Sequence, residues 1–191
     1  MAIFYKNCYN IHNHGRGGNK MSQFDFAPQQ TVVYNDSCIC RIEEIVRRCF
    51  DGEHSLDYYK LCPVRGEHSS YYVPVAQAGE RLRNLMTEAE VLEIIDSLEA
   101  RVLSLSDDSR ERKEAVGRIL KGGDYGEILC MLHALRAVQA ACKSSGKRVS
   151  VSDENAIRSG EERVFPEFAM VLQISEDEVD SFIRTRVGEA V

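Results

Sequence analysis

Gln29 to Val75 reads QQTVVYNDSCICRIEEIVRRCFDGEHSLDYYKLCPVRGEHSSYYVPV, and this stretch decides the fold. Val32, Val33 and Tyr34 open a first β-rich run. Cys38 to Val46 continue it, and Leu56 to Val75 bring the chain back twice. β-Branched and aromatic residues in such runs suit half-buried pleated strands. The breaks at 51–55 and 65–69 each supply a glycine for a tight reversal. The stretch predicts a small, strongly bent antiparallel sheet of about four or five strands, the size of an SH3-like barrel. Pro28 stands just before the first strand. Pro74 interrupts the last run, so that strand lies at an edge or ends there, and the unpaired backbone groups of an edge can dock a partner.

Outward from this stretch the pattern changes. Thr87-Glu88-Ala89-Glu90 is a capping box, followed by Val91, Leu92, Ile94, Ile95, Leu98 and Val102 at helical spacing. A second helix is expected from about Ser109 to Lys121, stopped by Gly122-Gly123. Asp124-Tyr125-Gly126-Glu127 opens a long third helix. Ser152 starts a stretch that Gly160 and Pro166 should weaken or kink, and Ser175-Glu176-Asp177-Glu178 opens a last one. Strands followed by helices predict an α+β chain: an antiparallel β-barrel at 21–80, then an all-α bundle of four or five helices at 86–191. Residues 1–20 lack apolar periodicity and read as a flexible tail or a translated leader ahead of a natural start at Met21. His12 and His14 there are a chance pair rather than metal ligands.

At 191 residues and 43% hydrophobic, the chain has enough apolar mass for a real core, in one generous or two small domains. No apolar run approaches the ~20 residues of a membrane span. Most of the seven cysteines lie in apolar contexts, as in a reducing cytoplasm. The net charge of −6 is uneven: residues 101–148 carry 10 basic and 6 acidic side chains, whereas residues 149–191 carry 4 and 10. At 100° per residue, Arg110, Lys113, Arg118 and Lys121 fall within about 140° of one another, with Val116, Ile119 and Leu120 roughly opposite. Phosphate is the natural partner of such a stripe, and a solvated helix face is the plainer reading of the charge alone. Arg136, Lys143, Lys147 and Arg148 follow it.

Chemistry for catalysis is hard to find. No nucleophile elbow, phosphate-cradling loop or zinc-protease motif occurs, and the chain reads as non-enzymatic, without cofactor or metal. Cys38 and Cys40 share one face of a strand. A zinc site with Cys49 and Cys62 would lack paired C-x₂-C spacing, so the thiols read as core packing. His54 and His68 read as solvated in turns, and His133 as a partly buried structural histidine.

The runs FAPQQTVVYNDSCICRIEEI, YYKLCPVRGEHSSYYVPV and RERKEAVGRILKGGDYGEILCMLHAL, in this order and spacing, resemble the CarD/CdnL-like transcription regulators from about residue 24 to 172. The N-terminal module of that family is shared with the transcription-repair coupling factor. The resemblance implies a Tudor/SH3-like barrel that docks on the β subunit of bacterial RNA polymerase by strand pairing, and a helical domain whose basic residues touch promoter DNA. In well-studied members a Trp on that domain wedges into the minor groove. Here Asp108 stands at that position, and Asn35-Asp36-Ser37-Cys38 replaces a turn that usually carries Gly. An aspartate cannot fill a base step and repels phosphate.

The expectation is therefore a monomeric, cytoplasmic, bacterial transcription regulator. Arg47, Arg48, Tyr71, Tyr72 and Val73 would bind the polymerase β subunit. Arg110, Lys113, Arg118 and Lys121 would hold promoter DNA backbone. The alternative is a polymerase-binding adaptor that never touches DNA.

Overall fold

The computed structural model describes residues 25–66, 69–101 and 103–188. The expected tail, the start at Met21, the His12–His14 pair, His68 and Val102 lie outside the described residues. Among the described residues five strands follow in order: β1 (Thr31–Tyr34), β2 (Cys38–Arg48), β3 (Leu56–Pro63), β4 (Tyr71–Pro74) and β5 (Leu82–Asn84). They form one antiparallel sheet in the order β4-β3-β2-β1-β5.

The β1–β2 turn carries Asn35 and Asp36 at φ 47° and 59°. Short polar side chains tolerate this left-handed region, so the reversal forms without glycine. A bulge falls between Ile42 and Glu44. The extra residue restores the alternation that the sequence breaks, so Ile42 and Ile45 both join the core around Val32, Cys40, Tyr59, Leu61 and Val73. Glu43 is left outside, where its carboxylate accepts from Lys60 at 2.9 Å.

The expected closed barrel is not what forms: β4 and β5 are the two edges of an open sheet. β4 has only four residues and β5 three. Between them a 3₁₀ turn at Val75–Gln77 and a one-turn helix α1 (Ala78–Arg81) insert Ala78 into the core. β5 lies beyond residue 80 and pairs Val33 with Arg83.

The helical half comprises α2 (Glu88–Asp96, continued as 3₁₀ to Ala100), α3 (Ser109–Gly122), α4 (Tyr125–Ser144), α5 (Val151–Leu172) and α6 (Glu176–Arg186). A second core runs through them from Val91 and Ile95 to Val179 and Ile183, with Leu132, Leu135 and Phe168 at its centre. α5 continues through both Gly160 and Pro166 and is capped by Ser150 rather than Ser152. Gly160 is where α5 crosses α4: a Cβ there would sit 2.9 Å from Leu132 Cδ2 and 3.3 Å from Ile128 Cγ2. No described helix is long and apolar enough to cross a membrane.

Four of these helices start on a carboxylate: in α4 it is Asp124, whose Oδ1 accepts from Glu127 N at 2.7 Å, and the other three are α2, α3 and α6. Glu90 Oε2 accepts from Thr87 N at 2.7 Å, Asp108 Oδ1 from Arg110 N and Glu111 N at 2.8 and 3.0 Å, and Glu178 Oε2 from Ser175 N at 2.8 Å. These backbone donors hold all three carboxyls below their ordinary values. A lowered value means stabilisation present above the ordinary carboxylate range and lost as the pH falls through it. The expected result is fraying of α2, α3 and α6 below about pH 4, read by far-ultraviolet circular dichroism. Asp108→Asn keeps a cap that does not titrate and should lose less helix on acidification. Identical acid curves for the two proteins would remove the capping account.

Candidate functional site

Two exposed faces and one buried junction stand out. The first face is the β4 edge: β4 pairs only with β3, so its outer backbone groups have no ladder partner among the described residues. Successive residues of β4 point to opposite faces. Tyr71 is 38% exposed, with its ring 5.2 Å from that of Tyr34. Val73 is fully buried against Tyr59 and Leu61, so only its backbone can meet a partner. Tyr72 turns to the outer face, where the ring of Phe50 lies 5.3 Å from it and 5.0 Å from Tyr58.

Phe50 is 61% exposed, and the sequence reading missed it. Its signal was an aromatic in an otherwise polar loop. The loop is ordered by Asp51, which accepts from Glu53 N at 3.0 Å and His54 N at 2.8 Å; these donors lower its carboxyl to about 2. Arg47 and Arg48 are exposed at the end of β2, opposite Asp57 and Leu56. Phe50 thus joins the end of β2 to the free edge. Edge backbone, exposed aromatics and two arginines suit a protein partner.

The second face is on α3. Arg110, Lys113, Arg118 and Lys121 are all exposed. Arg110 has a loose pairing with Glu114 at 3.6 Å, and the other three have no ion pair among the described residues. Asp108 is the N-cap of α3, which explains an acid at this position. Arg112, on the same helix, points inward: its side chain is 7% exposed and Asp153 of α5 is 4% exposed. Its Nη2 donates to Asp153 Oδ2 at 2.9 Å and its Nη1 to the carbonyls of Ser106 and Asp107 at 2.8 and 3.1 Å. Arg136 is also committed internally, to Asp180 and Glu161. Lys143, Lys147 and Arg148 remain exposed, and so does His133, which was expected to be partly buried. Cys49 is exposed rather than packed in a core.

The junction lies where β5 meets α4 and α5. Arg83 donates through both Nη atoms to the two oxygens of Glu167, each at 2.8 Å. Glu167 is 2% exposed, and it also accepts from Tyr125 Oη at 2.9 Å and Met86 N at 2.9 Å. The salt bridge raises Arg83, and burial raises Tyr125, so the arginine stays a cation and the phenol stays neutral. A second tie joins Arg65 at the end of β3 to Glu176. Among the described residues no group of three or more His, Cys, Asp or Glu is placed to hold a metal ion.

A comparison of the chain with curated proteins returns no significant match. The protein families give one, the CarD-like/TRCF RID domain, over residues 26–86. That span contains every strand of the sheet, β5 included, and ends at the start of the junction. The matched domain is one of RNA polymerase-interacting transcription factors. Over residues 26–86, about a third of its length, the chain carries the CarD-like/TRCF RID domain, the N-terminal module that CarD-like proteins share with the transcription-repair coupling factor.

Proposed function

We propose that this chain is a bacterial transcription regulator, acting in the cytoplasm without chemistry of its own. It would bind the β subunit of RNA polymerase through a Tudor-like sheet module and touch promoter DNA backbone through the helical half, as two domains of one monomer. The observation that carries this reading is the coincidence of the family match with a sheet whose edge strand is open and bordered by exposed aromatics. In this reading β4 adds its backbone to a strand of the β subunit, while Tyr71, Tyr72, Arg47, Arg48 and Phe50 pack around it, with Val73 contributing backbone alone. Arg110, Lys113, Arg118 and Lys121 neutralise phosphates. Specificity for sequence is not part of their role, because phosphate contacts position without reading bases.

A second reading, an adaptor that binds polymerase and recruits a protein, is favoured by Asp108 and by the acidic start of α6 at Glu176, Asp177 and Glu178. Salt titration separates the two. Four phosphate contacts give a slope of about −3.6 in log K against log salt, and reversing Arg110 and Lys113 to Glu should reduce its magnitude by about 2. The same variant should capture the β subunit as well as the parent does. Phe50→Ala with Tyr72→Ala should do the reverse, weakening β-subunit capture by at least tenfold (about 1.4 kcal/mol) and leaving the salt slope alone. Promoter association that ignores the charge reversal would leave the adaptor standing. Capture that ignores the aromatic pair would remove this face from the interface.

A further inference from the structure

We infer that Cys38 and Cys40 form a reversible dithiol–disulfide site, oxidised by a peroxide and restored by a thiol reductant. The two Sγ atoms lie 3.6 Å apart on one face of β2. Two residues of strand span about 6.6 Å between Cα atoms, inside but near the upper end of the ~4.4–6.8 Å range of disulfides. The bond can therefore close with a small contraction of the strand, and it carries strain that makes it easy to reduce. Access divides the roles. Cys38 is half-buried and can meet a small oxidant, whereas Cys40 is fully buried and its thiol is pushed up by desolvation.

Cys38 sulfur would attack one oxygen of hydrogen peroxide, breaking the O–O bond and giving a sulfenic acid and one water. Cys40 sulfur then displaces the hydroxyl from Cys38 sulfur. The hydroxide takes the Cys40 proton and leaves as the second water. Two thiols lose two electrons, and the peroxide gains them. Cys38 is the register partner of Tyr34, whose ring stacks on Tyr71 of the β4 edge. The bond thus reaches the partner-facing edge, a consequence that rests on the function proposed above; the bond itself does not.

The test uses the full chain, treated briefly with hydrogen peroxide, denatured, capped with N-ethylmaleimide and digested with trypsin. Cleavage after Lys20 and Arg41 yields one peptide whose only cysteines are Cys38 and Cys40. It is expected to be lighter by two hydrogen atoms and to lose both maleimide labels together, and dithiothreitol should restore both. Cys38→Ser should leave Cys40 fully labelled under the same treatment. The inference is overturned if the peptide keeps both labels while the exposed Cys49 is oxidised, if Cys40 is found joined to Cys62, or if Cys38 runs on to the sulfinic acid with Cys40 still labelled. The mass readout is independent of polymerase binding, so failure of one does not imply failure of the other.

Discussion

Arg112→Ala is expected to destabilise the protein by about 3–5 kcal/mol and to lower its melting temperature by roughly 10 °C. The loss comes from what stays behind. Asp153, 4% exposed, would remain buried without its cation, and the carbonyls of Ser106 and Asp107 would lose their donor. Those carbonyls belong to the segment that leads into the Asp108 cap, so the start of α3 loosens with them. In the proposed function, promoter association should therefore fall in Arg112→Ala although the guanidinium itself is buried. Lys113→Ala, one residue on and exposed, should change stability by no more than about 0.5 kcal/mol. The double change Arg112→Met with Asp153→Leu should recover most of the stability, because an apolar pair leaves no orphaned charge. Equilibrium urea unfolding of the three variants checks this. A single substitution within about 1 kcal/mol of the parent would show that the pair carries little of the fold.

Glu167→Ala should cost about 3 kcal/mol, at the lower end for a buried pair, because Arg83 is 34% exposed and can recover water. Its particular effect is on the join between the sheet and the helices. Glu167 accepts from Arg83 on β5, Tyr125 on α4 and the backbone of Met86 between β5 and α2. With the acceptor gone, the Met86 amide should exchange with solvent faster, while amides of β2 and β3 keep their protection. The two halves should then separate thermally, giving a broadened or biphasic transition. Equal protection at Met86 in parent and variant would remove Glu167 as the lock. In the proposed function this lock fixes the distance between the β4 edge and α3, so Glu167→Ala should bind polymerase and DNA separately better than it bridges them.

Much of the architecture was legible in the chain. The alternation around Val32, Ile39 and Tyr59 marks strands because side chains on a strand alternate faces. The carboxylates three residues after Thr87 and Ser175 mark helix starts because they reach back to the cap amide. Pro74 marked an edge or a strand end, and the spacing of Arg110, Lys113, Arg118 and Lys121 marked one solvent face of α3. Local periodicity reports which residues share a face; it does not report what that face meets. Arg112 looked like its basic neighbours, and Glu167 like any helix carboxylate. Their partners lie 41 and 84 residues away, and only packing brings them together.

β5 was invisible for a related reason. Leu82, Arg83 and Asn84 are too few to show a period, and they become a strand only because β1 offers them an edge. The closed barrel failed on the same point: closure needs two edges long enough to pair, and the lengths of β4 and β5 are set by the turn and helix packed between them. The sequence by itself thus determined the longer elements, most of the helix caps and the apolar faces, since these depend on bonds and side chains a few residues apart. Tertiary structure alone decided that the sheet stays open, which charges are buried, and that the sheet and the helices are joined at Glu167, since burial and ion pairing depend on distance in space.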